Sequence, residues 1–196
     1  HPEVAERTLL DAIASGVRPR VFLSILGESR LRAGDAPGAA SAFVNALATG
    51  QPDIPARLRL AEALARMGSP DRARTELESA VVRHPSSAEA HDALGKFLNS
   101  RGDHRTAIAH FGRAVELAPS EPVFWNNLGV ALRLEGEYTE ALSALAEATR
   151  LSPRMADPYF NRGEVARALG REDEARRQYL LALEIDPSFA PAREAL

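Results

Sequence analysis

The chain lacks cysteine altogether, and among its 196 residues it has one lysine, one tryptophan and two methionines. Without cysteine, neither a disulfide nor a thiolate metal site can form. Because Lys96 is the only lysine, arginine supplies nearly all of the basic character. We attribute that usage to a GC-rich genome, and the composition therefore predicts a bacterial source.

The chain also lacks a strong charge of either sign and any long apolar run. Its net charge of −3 gives no electrostatic case for binding nucleic acid or an anionic membrane. No apolar run approaches the roughly 18 residues that a transmembrane helix needs. There is no signal peptide and no initiator Met, so His1 is interpreted as a trimmed or engineered start. Cytoplasm and periplasm both stay open as compartments.

Enzyme motifs are missing as well. The sequence contains no phosphate-binding loop, no GxSxG elbow and no strand pattern that such motifs would follow. His104 and His110 are six residues apart, which does not place them on one helical face as metal ligands. The acidic run REDEARRQ at 171–178 is interpreted as the solvated start of a helix. The sequence therefore predicts no catalytic, cofactor-binding or metal-binding residue.

What the chain does have is an internal repeat of 34 residues. One glycine, two alanines and one proline recur at this step in a shared phase. The glycines are Gly34, Gly68, Gly102, Gly136 and Gly170; the alanines of one series are Ala39, Ala73, Ala107, Ala141 and Ala175; the prolines are Pro85, Pro119, Pro153 and Pro187. A fixed period of this length is typical of a repeat protein, in which one supersecondary unit stacks on the next.

Each period contains two stretches with helical spacing. In residues 122–153, Trp125 and Leu128 share one face of the first stretch, and Ala141 lies on the buried face of the second. Gly136 stands between the two stretches, where its tolerance of the left-handed conformation allows a helix to end. Pro153 then stops the second helix, because proline lacks the amide donor. The sequence predicts an antiparallel helix pair in each period.

This pattern resembles the tetratricopeptide repeat (TPR) over essentially the whole chain. In the unit that matches best, the signature residues are Trp125, Leu128, Gly129, Leu132, Ala141, Leu145, Ala148 and Pro153. The resemblance implies an all-α fold, a right-handed α-solenoid of antiparallel helix pairs known as the TPR superhelix. We assign full repeats to 20–53, 54–87, 88–121, 122–155 and 156–189. Residues 1–19 are assigned to the second helix of a partial repeat, and 190–196 to the start of a further or capping helix.

The resemblance also implies a function. In TPR proteins the first helices of the pairs line a concave groove that takes an extended peptide or a partner's helix. The chain is therefore expected to be a scaffold or adaptor for a protein or extended peptide, of mildly acidic character, without a cofactor. By their phase, the predicted contact residues are Arg59, Lys96, Asn126, Asn127, Arg133, Phe160, Asn161 and Arg167.

Two groove chemistries known in the family were tested against these positions. Asn127 and Asn161 match the asparagine ladder of TPR regions resembling that of O-GlcNAc transferase, whose amides bond a peptide backbone. Only two ladder positions carry asparagine, so simple solvated asparagines are the alternative. The carboxylate clamp of TPR co-chaperones is matched at Asn127 alone in one register and again at a single position one repeat on, so binding of a chaperone tail is not expected. Trp125 is assigned to packing between helices.

Two further interpretations stay open. The chain is either a free-standing scaffold or the recognition region of a larger enzyme, such as a glycosyltransferase or sulfotransferase, with its catalytic domain outside this chain. The ends of the repeat array also lack the polar-faced cap that normally covers the last apolar face of a solenoid. The chain is therefore expected to be a segment of a longer protein, and its uncapped ends allow self-association.

Overall fold

A computed structural model describes residues 19–48 and 54–196, and every regular element within these ranges is an α-helix. The predicted all-α fold of repeated helix pairs is therefore confirmed. The partial repeat predicted at 1–19 lies, apart from its last residue, outside the described residues. None of the helices in the described ranges is long and apolar enough to cross a membrane.

The chain divides into two compact units, His1–Pro85 and Ser86–Leu196. Unit 1 contains α1 (Pro19–Arg32), α2 (Ala36–Leu47), α3 (Ile54–Arg66) and α4 (Pro70–Arg83). Unit 2 contains α5 (Ala88–Ser100), α6 (His104–Leu117), α7 (Pro122–Glu135), α8 (Tyr138–Leu151), α9 (Ala156–Ala168), α10 (Glu172–Ile185) and α11 (Ala190–Ala195). Within each unit the two helices of a pair pack on each other, and the first helices of successive pairs also touch: α1 on α3, and α7 on both α5 and α9.

The recurring glycine ends the first helix of each pair. Gly136 has a φ of 89°, in the left-handed region, and its amide donates to the carbonyl of Arg133 at 3.1 Å. The next amide, of Glu137, donates back to the carbonyl of Leu132 at 2.9 Å. These two bonds satisfy carbonyls that the end of a helix would leave open. The other four glycines of the series have φ values between 71° and 83°, which confirms the predicted helix stops.

A second glycine lets the helices of a pair approach closely. A β-carbon at Gly129 would lie 2.6 Å from Cγ of Leu145, and one at Gly163 would lie 2.4 Å from a ring carbon of Tyr179. Leu145 and Tyr179 are almost fully buried, because each fills the space opposite its glycine. The core of each repeat therefore sits between its two helices, where small residues allow native packing density.

Trp125 packs against this core, as predicted. Its indole ring is half-buried and contacts the buried clusters that contain Phe124 and Leu145. The indole Nε1 donates to the carbonyl of Pro119 at 2.8 Å. That bond gives the polar end of the ring a partner while its body stays in the core. The acidic start of α10 is confirmed too, with Glu172, Asp173 and Glu174 in its first turn.

Candidate partner-binding surface

Charged side chains cover the face that α1 and α3 present together, which we call the first-helix face of unit 1. Five of them, with Leu31, line an open pocket of about 170 Å³: Glu28, Arg32, Arg59, Glu62 and Arg66. Only Arg59 of this group is among the predicted contact residues. Each of the others lies three or four residues from an oppositely charged neighbour along its own helix, a spacing visible in the sequence.

Arginine forks join α1 to α3 across this face. Arg59 donates from Nη1 to Glu62 Oε2 at 2.9 Å, and its Nε lies 3.9 Å from Glu28 Oε1. Arg66 donates from Nη2 to Glu62 Oε1 at 2.7 Å and from Nη1 to the carbonyl of Leu31 at 3.0 Å. Arg32 is paired with Glu28 at 3.2 Å. Each guanidinium on this face therefore has an acceptor within the protein.

The first-helix face of unit 2, formed by α5, α7 and α9, is joined by short polar side chains instead. Asn127 donates from Nδ2 to Asp92 Oδ1 at 2.7 Å, and Asn161 donates from Nδ2 to Asn126 Oδ1 at 2.9 Å. Each bond joins residues 35 apart, so it bridges the first helices of adjacent repeats. The second oxygen of Asp92 accepts from Lys96 Nζ at 2.8 Å. These contacts engage four of the predicted contact residues, the three asparagines and Lys96.

The expected exposure of Asn126 and Asn161 on an open groove is wrong. The two residues are only 7% and 9% exposed, because each side chain points across to the neighbouring first helix. Their amides thus tie repeats together, and a buried amide needs such a partner. Asn127 is half-buried and keeps its side-chain oxygen outside the bridge. A polar pair at an offset of 35 residues, one repeat plus one position, is the sequence signal that identifies these bridges.

A charged cluster lies on α9 of the same unit around Glu164. Tyr179 donates its hydroxyl to Glu164 Oε1 at 2.7 Å, and Arg167 donates from Nη2 to Glu164 Oε2 at 2.7 Å. Burial by itself would raise the pKa of Glu164, but these hydrogen bonds and the charges of Arg167 and Arg133 outweigh it and lower the pKa. Burial and the neighbouring carboxylate raise the pKa of Tyr179 to about 12. Glu164 is therefore held ionised, and Tyr179 neutral.

Arg133, on α7, faces this cluster without a hydrogen bond to it. Its charge lowers the pKa of Glu164, yet its Nε is buried and has no hydrogen-bond partner among the described residues. Arg167, at the same position in the next repeat, is exposed and paired with Glu164. Arg133 and Arg167 are thus both close to a single carboxylate.

Phe160, a predicted contact residue of the groove, is partly covered by neighbouring aromatic side chains. Phe160 is partly buried, and its ring centroid lies 5.6 Å from that of Tyr179 and 5.7 Å from that of Phe189. These are offset and edge-on distances at which aromatic rings attract. Aromatic residues of the same repeat, Tyr179 and Phe189, therefore cover part of a side chain that phase alone placed on the groove.

The histidines form a pair that spacing did not reveal. His91 is buried, and its Nδ1 lies 3.1 Å from Nδ1 of His110 on the partner helix. His104 instead bonds Asn99 at 2.7 Å. Within residues 19–48 and 54–196, no group of three or more metal-binding side chains converges on one point.

Comparisons with known proteins agree on one family. Profiles described as tetratricopeptide repeat match residues 30–97, 100–156 and 135–188. The solved structure of MamA is similar, with a TM-score of 0.69 and 26% identity over 84% of this chain and 96% of the MamA chain. No curated protein sequence matches the chain.

Two further solved structures share the fold. YrrB, described as a TPR protein with an unusual peptide-binding site, gives a TM-score of 0.68 at 21% identity, covering 95% of this chain and 96% of its own. TTC0263, a thermophilic TPR protein of Thermus thermophilus, gives 0.73 at 22% identity, covering 89% and 95%. The chain thus matches these three structures over nearly their whole length.

Proposed function

Because the chain belongs to the tetratricopeptide-repeat family, whose fold is a protein–protein interaction scaffold, we propose that its first-helix faces bind an extended peptide or protein partner of mildly acidic character. One observation carries the proposal: taken together, the first helices α1, α3, α5, α7 and α9 have a positive net charge, in a chain whose net charge is −3. Among their arginines are Arg59 and Arg66 in unit 1 and Arg133 and Arg167 in unit 2.

The geometry of the two faces supports a carboxylate-bearing partner. Guanidinium groups present planar, forked donors that match a carboxylate, and they stay charged at every physiological pH. On unit 1 the forks border an open pocket of about 170 Å³, with Arg59 and Arg66 half-exposed. Among the predicted contacts, Lys96 is exposed and paired with Asp92, but its ammonium group lacks the forked donors of a guanidinium, so the arginines are the stronger candidates.

The TPR fold typically serves as a non-catalytic scaffold, and we propose that this chain contributes binding and no chemistry of its own. A catalytic domain outside the chain, of the glycosyltransferase or sulfotransferase kind, would leave that role unchanged. The predicted asparagine ladder is reduced to Asn127, because Asn161 is buried in its bridge to Asn126.

Charge reversal on first helices against second helices tests the proposal. The double variant Arg59→Glu, Arg167→Glu is compared with Arg72→Glu, Arg177→Glu, in which two exposed arginines of α4 and α10 make the same change in net charge. Purified chain selects ligands from a random-peptide display library, and affinities for the selected peptides are measured by fluorescence anisotropy. We expect the first-helix variant to lose at least about tenfold in affinity and the second-helix variant to lose little. Equal losses in both would contradict a first-helix site.

Self-association has one observation in its favour. Leu180 and Leu181 on α10 and Leu196 after α11 are exposed apolar side chains. Exposed apolar patches mark contact surfaces when they are contiguous. Sedimentation of the wild type and of Leu180→Glu, Leu181→Glu over a range of concentrations tests it. A wild type that stays monomeric at every concentration would rule it out.

A further inference from the structure

We propose that the histidine pair His91–His110 is an acid-sensitive contact, through which mildly acidic solution loosens α5 from α6. His91 on α5 is 8% exposed, and its Nδ1 lies 3.1 Å from Nδ1 of His110 on α6. The ring centroids are 5.3 Å apart and the rings are tilted by 34°. The inference concerns the folded chain by itself and does not depend on the proposed function.

The bond between the two Nδ1 atoms exists only in some protonation states, because one atom must carry a hydrogen and the other must offer a lone pair. With both rings neutral, one Nδ1 donates and the other accepts. One added proton can go to the second nitrogen of the donor ring, which leaves the bond in place and adds charge to it. A further proton has to go to the accepting Nδ1, which breaks the bond and puts two cations side by side. The folded pair therefore holds one added proton readily and two only at a cost.

This proton count makes stability fall as the pH is lowered. A free imidazole takes up its proton near pH 6.5, so both histidines of an unfolded chain are charged at about pH 5. The folded chain binds one proton fewer while the bond between the rings holds. Stability falls with decreasing pH wherever the unfolded state binds more protons, by up to about tenfold in the folding equilibrium constant for each proton and pH unit. The loss is therefore expected below about pH 6.5.

The same two positions hold different side chains in the repeats on either side. In the preceding repeat they are Arg57 and Glu76, which form an ion pair between α3 and α4. In the following repeat they are Trp125 and Ala144, which pack in one apolar cluster. None of these residue types ordinarily titrates between about pH 5 and 7. Acid sensitivity at this contact is thus a property of the third full repeat and not of its two neighbours.

The carboxylates of α5, α6 and α7, three helices that pack on one another and that the structure describes in full, are engaged elsewhere. They are Glu89 with Ser87, Asp92 with Asn127 and Lys96, Glu116 with Arg113, and Glu135 with Arg105. Neutralising a doubly charged histidine pair would take a carboxylate from one of these bonds. The positive groups of the same helices are Lys96, His104, Arg105, Arg113 and Arg133. Arg113 lies one turn from His110, so its charge adds to the cost of a second proton.

Loosening of α5 reaches the first-helix face of unit 2. Asp92, the residue after His91, accepts from Asn127 and so joins α5 to α7. A change at the histidine pair therefore alters the position of a helix that contributes to this face, whatever partner binds there. In this way the histidine pair couples one side of α5 to the other.

The test compares the wild type with two double variants that use side-chain pairs of the chain itself. His91→Trp, His110→Ala copies the following repeat, and His91→Arg, His110→Glu copies the preceding one. The control variant His84→Gln, His104→Gln removes the other two histidines between residues 84 and 110 and keeps the pair. Urea unfolding of each protein at pH 5, 6 and 7 gives its unfolding equilibrium constant, and ratios between proteins cancel the groups that they share.

We expect the unfolding equilibrium constant of the wild type to rise about tenfold or more, relative to either double variant, from pH 7 to pH 5. The control variant should show the same rise. Hydrogen exchange measured by mass spectrometry, corrected for the intrinsic effect of pH, should place the faster opening in α5 and α6 and not in α9 and α10. Nitrogen-15 NMR of labelled histidines at pH 7 should find one of the two Nδ1 atoms protonated.

A ratio that stays within about twofold over this pH range overturns the inference, and so does a rise that the control variant abolishes. Equal opening of α9 and α10 overturns it as well. Two protonated or two unprotonated Nδ1 atoms at pH 7 would overturn the shared bond itself. Where a double variant does not fold, the exchange and NMR measurements on the wild type decide. None of these outcomes bears on the proposed function, which is tested by peptide binding.

Discussion

In both units polar side chains join neighbouring first helices, but the two units use different side chains. In unit 1, α1 and α3 are joined by Arg59 and Arg66, long side chains about half exposed to solvent. In unit 2, α5, α7 and α9 are joined by Asp92, Asn126, Asn127 and Asn161, short side chains that are buried or half-buried. Buried bonds are costly to leave unmade, whereas exposed ion pairs are screened by salt and contribute little to stability.

Because of this difference, the side chains that join the helices of unit 2 are not the arginines proposed to bind a partner, whereas in unit 1 the same arginines serve both purposes. Short amides fix the spacing of neighbouring repeats in unit 2, so the arginines beside them are carried on a stable frame. The long arginines of unit 1 both bridge the helices and form the pocket, so a ligand there would compete with internal ion pairs. The contrast predicts a graded series of mutational effects, from the buried bridges down to the exposed ones.

Asp92→Ala should have the largest effect on stability. It removes a buried carboxylate that accepts from Asn127 and Lys96, and it leaves the half-buried amide of Asn127 without its acceptor. We expect a loss of about 2–3 kcal/mol in the free energy of unfolding, measured by denaturant titration. Glu116→Ala on the exposed surface of α6 is the control and should cost almost nothing. A similar loss in both variants would remove the distinction between buried and exposed bridges.

Tyr179 should make the stability of unit 2 fall at high pH, an effect that unit 1 lacks. The corresponding residues of unit 1, opposite Glu28 and Glu62 at the same offset of 15 residues, are Phe43 and Leu77, which have no hydroxyl. The pKa of Tyr179 is about 12 in the folded chain, against about 10 in an unfolded one. The unfolded state therefore loses its proton first as the pH rises, and stability is lost between these two values.

We expect the difference in unfolding free energy between wild type and Tyr179→Phe to shrink by about 2 kcal/mol from pH 9 to pH 12. Comparing the two proteins at each pH cancels the titration of all other groups. Parallel stability curves for the two proteins would show that the hydroxyl of Tyr179 is not held neutral by Glu164.

Asn126→Ala should cost somewhat less, because the bond it breaks joins two neutral amides. We expect about 1–2 kcal/mol, with faster hydrogen exchange in α7 and α9. The double variant Asn126→Asp, Val130→Lys copies the Asp92–Lys96 arrangement of the preceding repeat and restores an acceptor for Asn161. It should recover most of the loss, whereas Asn126→Asp alone should not, since it buries an unpaired charge. Failure of the double variant would mean that the bridge depends on more than its donor and acceptor.

Arg59→Ala should have the smallest effect. Its ion pairs with Glu28 and Glu62 are exposed, so we expect a loss below about 1 kcal/mol that disappears at high salt. Thermal unfolding at about 0.05 and 1 M salt measures both features. A salt-independent loss above about 2 kcal/mol would show that unit 1 relies on its arginines as strongly as unit 2 relies on its amides.

Much of the fold was predictable, because the residues that recur every 34 positions affect their own helix or the helix paired with it. Gly136 ends a helix through its own backbone freedom, and Gly129 admits Leu145 because it lacks a β-carbon. The same period placed Trp125 in the core. Each of these outcomes depends on one residue and its position along a helix, which a sequence contains.

The candidate site was only partly predictable. Phase identified Arg133 and Arg167 as neighbours on first helices, but it placed Asn126 and Phe160 on an open surface, whereas Asn126 is buried and Phe160 is partly buried. Phase specifies the side of a helix, and burial depends on what packs against that side. The His91–His110 contact could not be predicted for the same reason. The two residues lie on different helices, and helical spacing relates only residues of one helix.

The sequence by itself determined the period, the helix stops and the all-α class, because backbone conformation and helix periodicity are properties of short segments. Only the tertiary structure decided which polar groups find partners. In the structure Asn161 donates to Asn126 and Tyr179 donates to Glu164. The Nε of Arg133 has no acceptor among the described residues. Hydrogen bonds between repeats require distances and directions set by helix packing, and those are fixed when neighbouring helices meet.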